Sequence, residues 1–324
     1  MIPSRRSSSA SRAAIAVALL AVLAGACANG SEVAAPVELF VLGVAQDGGL
    51  PHLGCEAPCC ADARATGRVE DPACLGLVDR RGDAEKLLLV EATPAVERQV
   101  ARLHALAGVE DRGRRPVDAL LVTHAHIGHY LGLAHFGREV AASRRLPVWC
   151  SQRFAAFLRQ NAPWRQLVEL EQLDVRAFAI GEPFAPWPGV EVTALAVPHR
   201  DEFSDTVAYR IRGPNRTVLF APDIDAWERA PGLLARLLDG VDVAYVDGTF
   251  FDGSELPDRA LDEIPHPLMV RTMQRLADVA RARPGAIRFV HLNHTNPALS
   301  DDALRAHVEA MGFAVARTGE RVPL

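Results

Sequence analysis

The sequence predicts an α/β fold, and three observations point to it. From about Val37 onward, short β-branched and aliphatic runs alternate with segments whose apolar residues recur at helical spacing. Three histidines, in Thr123-His124-Ala125-His126-Ile127-Gly128-His129, stand directly behind one apolar run, Ala119–Val122. The chain also divides into two β-rich halves without a repeat of short period. Apolar runs bounded by turn residues read as strands and a 3.6-residue period reads as helix. Their alternation argues for sheets covered by helices.

Residues 1–26 read as an address. Arg5, Arg6 and Arg12 precede the apolar segment Ala13–Ala24, and small residues lead to Cys27. This is the pattern of a secretory signal, and the apolar run is short for a membrane span. Leu23-Ala24-Gly25-Ala26-Cys27 is close to a lipobox, with plain cleavage at a small-residue site as the other reading. The expectation is an extracytoplasmic lipoprotein, with membrane anchoring through lipidated Cys27. Residues 27–36 form a short tether, and residues 37–324 form one large domain. The full chain of 324 residues is about half hydrophobic, ample for a core. Its formal charge of −5 becomes more negative once the leader's arginines are removed. That balance argues against a nucleic-acid partner and leaves a small-molecule substrate as the expected one.

Val37–Val44 reads as a strand entering the turn Gln46-Asp47-Gly48-Gly49-Leu50-Pro51, where glycine lets backbone approach a ligand. Cys55, Cys59, Cys60 and Cys74 follow. Thiolates so spaced bind zinc, while an oxidising compartment favours disulfides, and both readings stand. Cys150 reads as a buried thiol. Leu75–Val78 and Lys86–Val90 are strands. Thr93 and Pro94 open a helix with Val96, Val100, Leu103 and Leu106 on one face. Asp118–Thr123 is the strand that delivers the histidines. Alternate residues of extended chain share a face, so His124 and His126 point the same way, and His129 returns if a helix begins near Gly128. Neutral imidazole is the commonest side-chain metal ligand, and three at a strand end make an open site.

Tyr130–Val140 is expected to be helical, Leu146–Cys150 a strand and Arg153–Gln160 a helix. Val190–Val197 is a strand ending at Pro198-His199-Arg200. Thr206–Ile211 and Arg216–Phe220 form a hairpin around Gly213-Pro214-Asn215, and the second strand ends at Asp223. Pro231–Leu238 is a short helix. Val241–Val246 is a strand leading to Asp247-Gly248-Thr249-Phe250, and Pro267–Arg283 is an amphipathic helix following His266. Ile287–Val290 ends in His291-Leu292-Asn293-His294-Thr295-Asn296-Pro297. Ser300 caps the last helix, Gly312 ends it, and Phe313–Arg317 adds an edge strand.

The histidine run resembles the H-x-H-x-D-H signature of the metallo-β-lactamase superfamily, with Gly128 where the family has Asp. Within that superfamily, Gly48–Pro51, Asp247–Phe250 and His291–Pro297 are most similar to the pyrroloquinoline quinone biosynthesis protein B family, and less so to the phosphoribosyl cyclic phosphodiesterases. The resemblance implies a four-layer αββα sandwich. It implies one or two divalent transition metals, Zn, Mn or Fe. His124, His126 and His199 would hold the first, with Asp223 bridging. His129, Asp223 and His291 would hold the second. Asp223, His129 and His266 are the candidate catalytic groups. It further implies a structural zinc on Cys55, Cys59, Cys60 and His294, although the cysteine spacing departs from the family's.

Gly128 removes one second-metal ligand and the carboxylate that orients the attacking water. Asp47, Asp247 and Asp252 are the candidates to replace it, and restoring Gly128→Asp is expected to tighten the second metal. Three functions fit. The first is a metal-dependent hydrolase of phosphodiesters, lactones or other esters, because a divalent ion lowers the pKa of its water from 15.7 to about 7. The second is a non-haem iron oxygenase or hydroxylase, which the resemblance implies and which two or three histidines plus a carboxylate suit. The third is a lipoprotein that binds metal or ligand without turnover. The exported location and the intact H-x-H favour the hydrolase.

Overall fold

Strand alternation decides how the chain divides its apolar residues between two cores. In a computed structural model describing residues 36–110, 112–225, 227–256, 260 and 265–324, the first strand, β1 (Val37–Gly43), is buried on both faces. Leu39 and Val41 face one core, Phe40 and Leu42 the other. β2 (Cys74–Asp79) and β3 (Lys86–Val90) repeat the division, with Leu75, Leu77, Leu88 and Val90 on the first side and Val78, Leu87 and Leu89 on the second. Because side chains alternate with a period of two, a sheet covered on both faces reads as a continuous apolar run.

These three strands continue into β4 (Ala119–Leu121), β5 (Leu146–Ser151) and β6 (Leu173–Phe178). The second sheet comprises β7 (Pro183–Trp187), β8 (Val190–Ala196), β9 (Val207–Arg212), β10 (Thr217–Ala221), β11 (Val243–Asp247), β12 (Ile287–Val290) and β13 (Ala314–Val315). β14 (Arg321–Pro323) returns to pair with β1. The sheet orders are β14-β1-β2-β3-β4-β5-β6 and β13-β12-β11-β10-β9-β8-β7. Each sheet has an antiparallel half and a parallel half, with β3 to β6 parallel in the first and β10 to β13 in the second.

Helices cover both outer faces. α1 (Pro58–Thr66) carries the paired cysteines. α2 (Val96–Ala107) packs Val96 and Leu103 on the first sheet. α3 (Ile127–Tyr130) is a single turn, and α4 (Gln152–Gln160) and α5 (Trp164–Glu169) add Phe154, Leu158 and Trp164 to the same core. α6 (Leu233–Leu238), α7 (Met269–Ala282) and α8 (Asp302–Ala310) cover the second sheet through Leu237, Met273, Leu276 and Val308. This is the expected αββα sandwich. The described residues belong to one unit spanning Ala35–Leu324, and none of their helices is long and apolar enough to cross a membrane. The expected signal segment, Cys27 and nearly all of the expected tether lie outside the described residues.

Local expectations are corrected in three places. Tyr130–Val140 is not one helix: α3 gives way to a 3-10 turn over Leu131–Phe136. Gly132 is pressed against backbone there, since a Cβ on it would lie 2.2 Å from the Thr93 carbonyl oxygen. Thr93 organises the turn before α2 by accepting the Ala95 N–H at 3.1 Å, and the helix starts only at Val96. Asp301, not Ser300, caps α8, accepting from Ala303 and Leu304 N–H.

Candidate metal centre

The site assembles where strands from both sheets end. The chain leaves β4 irregularly through Thr123 and His124, bends at Ala125 and His126, then winds into α3, which swings His129 back toward His124. Ala92 N–H donates to the His129 carbonyl at 2.9 Å, and Gly132 N–H to the Ala92 carbonyl at 2.8 Å, so the turn is tied to the end of β3. The second sheet supplies His199 after β8, Asp223 after β10, Asp247 ending β11 and His291 after β12. Two residues here hold positive φ without being glycine, Glu91 at 79° and His291 at 64°. Such backbone is costly and persists where its surroundings enforce it.

Two donor sets meet at Asp223. His124, His126, His199 and Asp223 bring one ligand atom each within 4.8 Å of one another. Within that set His199 Nε2 lies 3.1 Å and His124 Nε2 3.4 Å from Asp223 Oδ2. His126 Nδ1 lies 2.9 Å from His124 Nε2. A second set is Asp47, His129 and His291, with His129 Nε2 3.2 Å and His291 Nε2 3.5 Å from Asp47 Oδ1. His129 Nε2 is also 3.7 Å from Asp223 Oδ2, which places Asp223 between the sets. Asp223, Asp247, His266 and His291 form a further cluster, with His266 Nδ1 2.9 Å from Asp247 and 3.4 Å from Asp223.

The residues fit a metal. His129 Nε2, His291 Nε2, Asp47 Oδ1 and Asp223 Oδ1 are buried and have no hydrogen-bond partner among the described residues. Buried polar atoms are almost always satisfied, so four orphans converging from separate segments call for a partner that a cation supplies. Imidazole and carboxylate donors suit Zn, Mn or Fe(II).

The lone pairs are aimed by the same device in each half. His124 Nδ1–H donates to Thr123 Oγ1 at 2.9 Å, and the Thr123 hydroxyl donates to Glu91 at 2.6 Å. His291 Nδ1–H donates to Thr249 Oγ1 at 3.0 Å, and the Thr249 hydroxyl donates to Asp247 at 2.7 Å. Each relay leaves Nε2 unprotonated and facing the centre, the arrangement that orients metal-binding histidines. Asp225 stands behind His199 at 3.5 Å.

Charge is strongly coupled here. Burial and the neighbouring His129 push His124 well below the usual imidazole range, against the pull of Asp223. Burial opposes charge on His129 too, but Glu91 and Asp47 outweigh it and raise its pKa well above normal. Burial would raise Asp223, yet the adjoining His124 and His199 imidazoles hold it well below the carboxylate range. Burial likewise opposes charge on His266, but Asp247 lifts its pKa to about 9.

All six residues expected from sequence as metal ligands, His124, His126, His129, His199, Asp223 and His291, therefore meet in one place, with His266 beside them. Of the three acids weighed for the vacancy at Gly128, Asp252 is exposed and bonds its own turn through Ser254 N–H at 2.9 Å. Asp247 is occupied by Thr249 and His266. Of the three, Asp47 is the one grouped with both His129 and His291. The sequence reading missed Glu91, Thr123, Thr249 and Asp225. Their one sequence signal is position beside a strand end, which they share with many turn residues.

The cysteine cluster differs from expectation in membership. Cys55, Cys60 and His294 bring their ligand atoms within 4.8 Å, and Cys59 stands outside that group. Cys59 and Cys60 are consecutive on α1, so their side chains leave the helix in different directions, and Cys60 is buried while Cys59 is only partly so. Cys55, Cys59, Cys60 and Cys74 are all free thiols. A cleft of about 690 Å³ opens beside the metal centre, lined by Asp47, Gly128, Ile127, Pro94 and Arg98 among others.

Comparison with known proteins agrees with this fold. The family profile described as "Beta-lactamase superfamily domain" matches residues 87–292. Coenzyme PQQ synthesis protein B of Methylobacterium sp. strain 4-46 is 28% identical over 302 residues, covering 87% of this chain and 98% of the relative. The crystal structure of Zn(2+)-bound PqqB from Methylobacterium extorquens superposes with a TM-score of 0.73 at 24% identity, covering 89% of this chain and all of that one. A diphosphatase of the PhnP family superposes with a TM-score of 0.62 at 19% identity, over 88% and 96% of the two chains.

Proposed function

Because the chain belongs to the β-lactamase superfamily, we propose that it is a metal-dependent hydrolase acting on a phosphodiester, lactone or other ester. The observation that carries this reading is Asp223 standing between two histidine sets, with 3.1 Å to His199 on one side and 3.7 Å to His129 on the other. A shared carboxylate between adjacent donor sets suits a pair of ions acting on both oxygens of a displacement, and is more than a single oxygen-activating iron requires. When bound, such ions acidify water and polarise the substrate's oxygen.

The protein's own groups do the rest. His124, His126 and His199 would hold one ion, and His129 and His291 the other. The Glu91–Thr123 and Asp247–Thr249 pairs keep the imidazoles in one tautomer. His266 rests its Nδ1 on Asp247 beside Asp223, a position that suits a proton donor to the departing oxygen. The adjoining cleft is of a size that small-molecule sites commonly have.

The test is turnover of a panel of aryl phosphodiesters and lactones by the full chain and by His126→Ala. The expected result is hydrolysis by the wild type and a loss of at least about 100-fold in kcat/KM in the variant, with the fold retained by circular dichroism. Full activity in His126→Ala would end the reading. The likeness to Coenzyme PQQ synthesis protein B favours a second reading, oxidative chemistry at iron. One redox-active iron per chain, with oxygen uptake and no hydrolysis, would put that in its place.

A further inference from the structure

We infer that Asp47 has taken over the role of the acid absent at position 128, and that Gly128 is the space its carboxylate occupies. A Cβ built on Gly128 would lie 2.1 Å from Asp47 Oδ1, 2.4 Å from its Cγ and 2.6 Å from its Cβ. No side chain fits there while Asp47 holds its position. Backbone does not explain the glycine, because Gly128 sits within α3 and outside the left-handed region. The glycine is a steric concession to a carboxylate arriving from another loop.

That carboxylate arrives where the second ion needs it. Asp47 Oδ1 is buried, lacks a hydrogen-bond partner among the described residues and lies within reach of His129 and His291. The loop is anchored on both sides of Asp47. Gln46 N–H donates to the Leu292 carbonyl at 2.8 Å, and Asn293 Nδ2 donates to Gln46 Oε1 at 2.5 Å. Gly49, at φ 66°, closes the turn by donating to the Gln46 carbonyl at 2.7 Å. The loop is thus pinned to the segment that carries His291, so acid and imidazole are positioned together.

This inference rests on the two-ion reading of the centre and not on any substrate. It corrects the expectation that Gly128→Asp alone tightens the second metal, since the new carboxylate collides with the old. The test is Zn²⁺ titration of the chelator-stripped full chain by calorimetry, with bound metal counted by plasma mass spectrometry. The forms compared are wild type, Asp47→Asn, Asp47→Gly, Gly128→Asp and the double variant Asp47→Gly/Gly128→Asp. Differences between forms cancel the contribution of the cysteine cluster. The expected result is loss of one zinc, or at least about tenfold weaker binding of it, in each single variant, with recovery in the double variant. Glycine is required at 47 in the swap because even an alanine Cβ would stand 2.6 Å from the new one. Asp47→Asn keeps the shape of the side chain, so a folding defect in Asp47→Gly does not obscure the result. Unchanged zinc binding in Asp47→Asn overturns the inference, and so does a double variant no better than Asp47→Gly. Absence of hydrolysis in every form would sink the proposed activity and leave this test intact.

Discussion

Thr123 and Thr249 are small residues with large consequences. Each accepts a hydrogen bond from one histidine and donates one to a buried carboxylate. Replacing either by valine keeps the shape and removes the hydroxyl. The histidine then loses the partner that fixes its tautomer, and Glu91 or Asp247 loses a donor. Groups that orient metal ligands commonly carry 10–100-fold in affinity. Thr249→Val is therefore expected to weaken zinc by about that factor, measured by competition with a chromophoric chelator, while the far-ultraviolet circular dichroism is unchanged. Equal affinity in Thr249→Val and wild type would show that the relay has no part in holding metal. The histidines themselves were legible in the sequence because H-x-H-x-x-H behind an apolar run is rare and has few structural explanations. The threonines were not, since a threonine at a strand end is ordinary and only the fold shows what it faces.

At the level of the element, the turn following α3 decides where His129 points. Gly132 lets that turn lie against the Thr93 and Ala92 carbonyls, closer than any side chain permits. Gly132→Ala inserts a methyl into this contact, and overpacking of that kind costs about 1–3 kcal/mol. The expected outcome is a lower urea midpoint together with weaker zinc binding, because the displaced turn carries His129. The two effects separate in a control at α8. Asp301→Ala removes a cap that accepts from Ala303 and Leu304 N–H, worth about 1 kcal/mol, and leaves zinc affinity unchanged. The contrast also explains where sequence reading of elements succeeded. Strands with both faces covered announce themselves as apolar runs, and β1, β3, β5 and β12 fall close to expectation. The expected helix over Tyr130–Val140 failed because a tertiary contact at one glycine overrode local propensity. α5, β6 and β7 went unread, their pattern being mixed: β7 buries only Trp187 fully.

Across the whole molecule, the two sheets meet as related halves, each with antiparallel strands on one side and parallel strands on the other. The centre lies where the ends of both halves converge, so neither half holds a metal set complete: His124, His126 and His129 come from one, His199, Asp223 and His291 from the other. Metal that binds only the folded arrangement stabilises it by mass action. Chelation is accordingly expected to lower the thermal midpoint of the wild type more than that of His126→Ala. The amino-terminal address is a separate expectation. We propose that Cys27 carries the lipid that holds the protein outside the cytoplasm, so the wild type should fractionate with membranes and Cys27→Ala should be released. Recovery of the wild type as an unprocessed cytoplasmic species would refute it. The fold and the ligand histidines could be read from sequence because strand ends and rare residues mark them. Which of Asp47, Asp247 and Asp252 partners Gly128 could not, since all three lie far from it along the chain and only the sandwich shows which is near. The account turns on two ions sharing Asp223, and diffraction recorded at the zinc, manganese and iron edges tests that directly. It predicts two anomalous peaks flanking Asp223, one among His124, His126 and His199 and one among Asp47, His129 and His291; a single peak at this centre would contradict it.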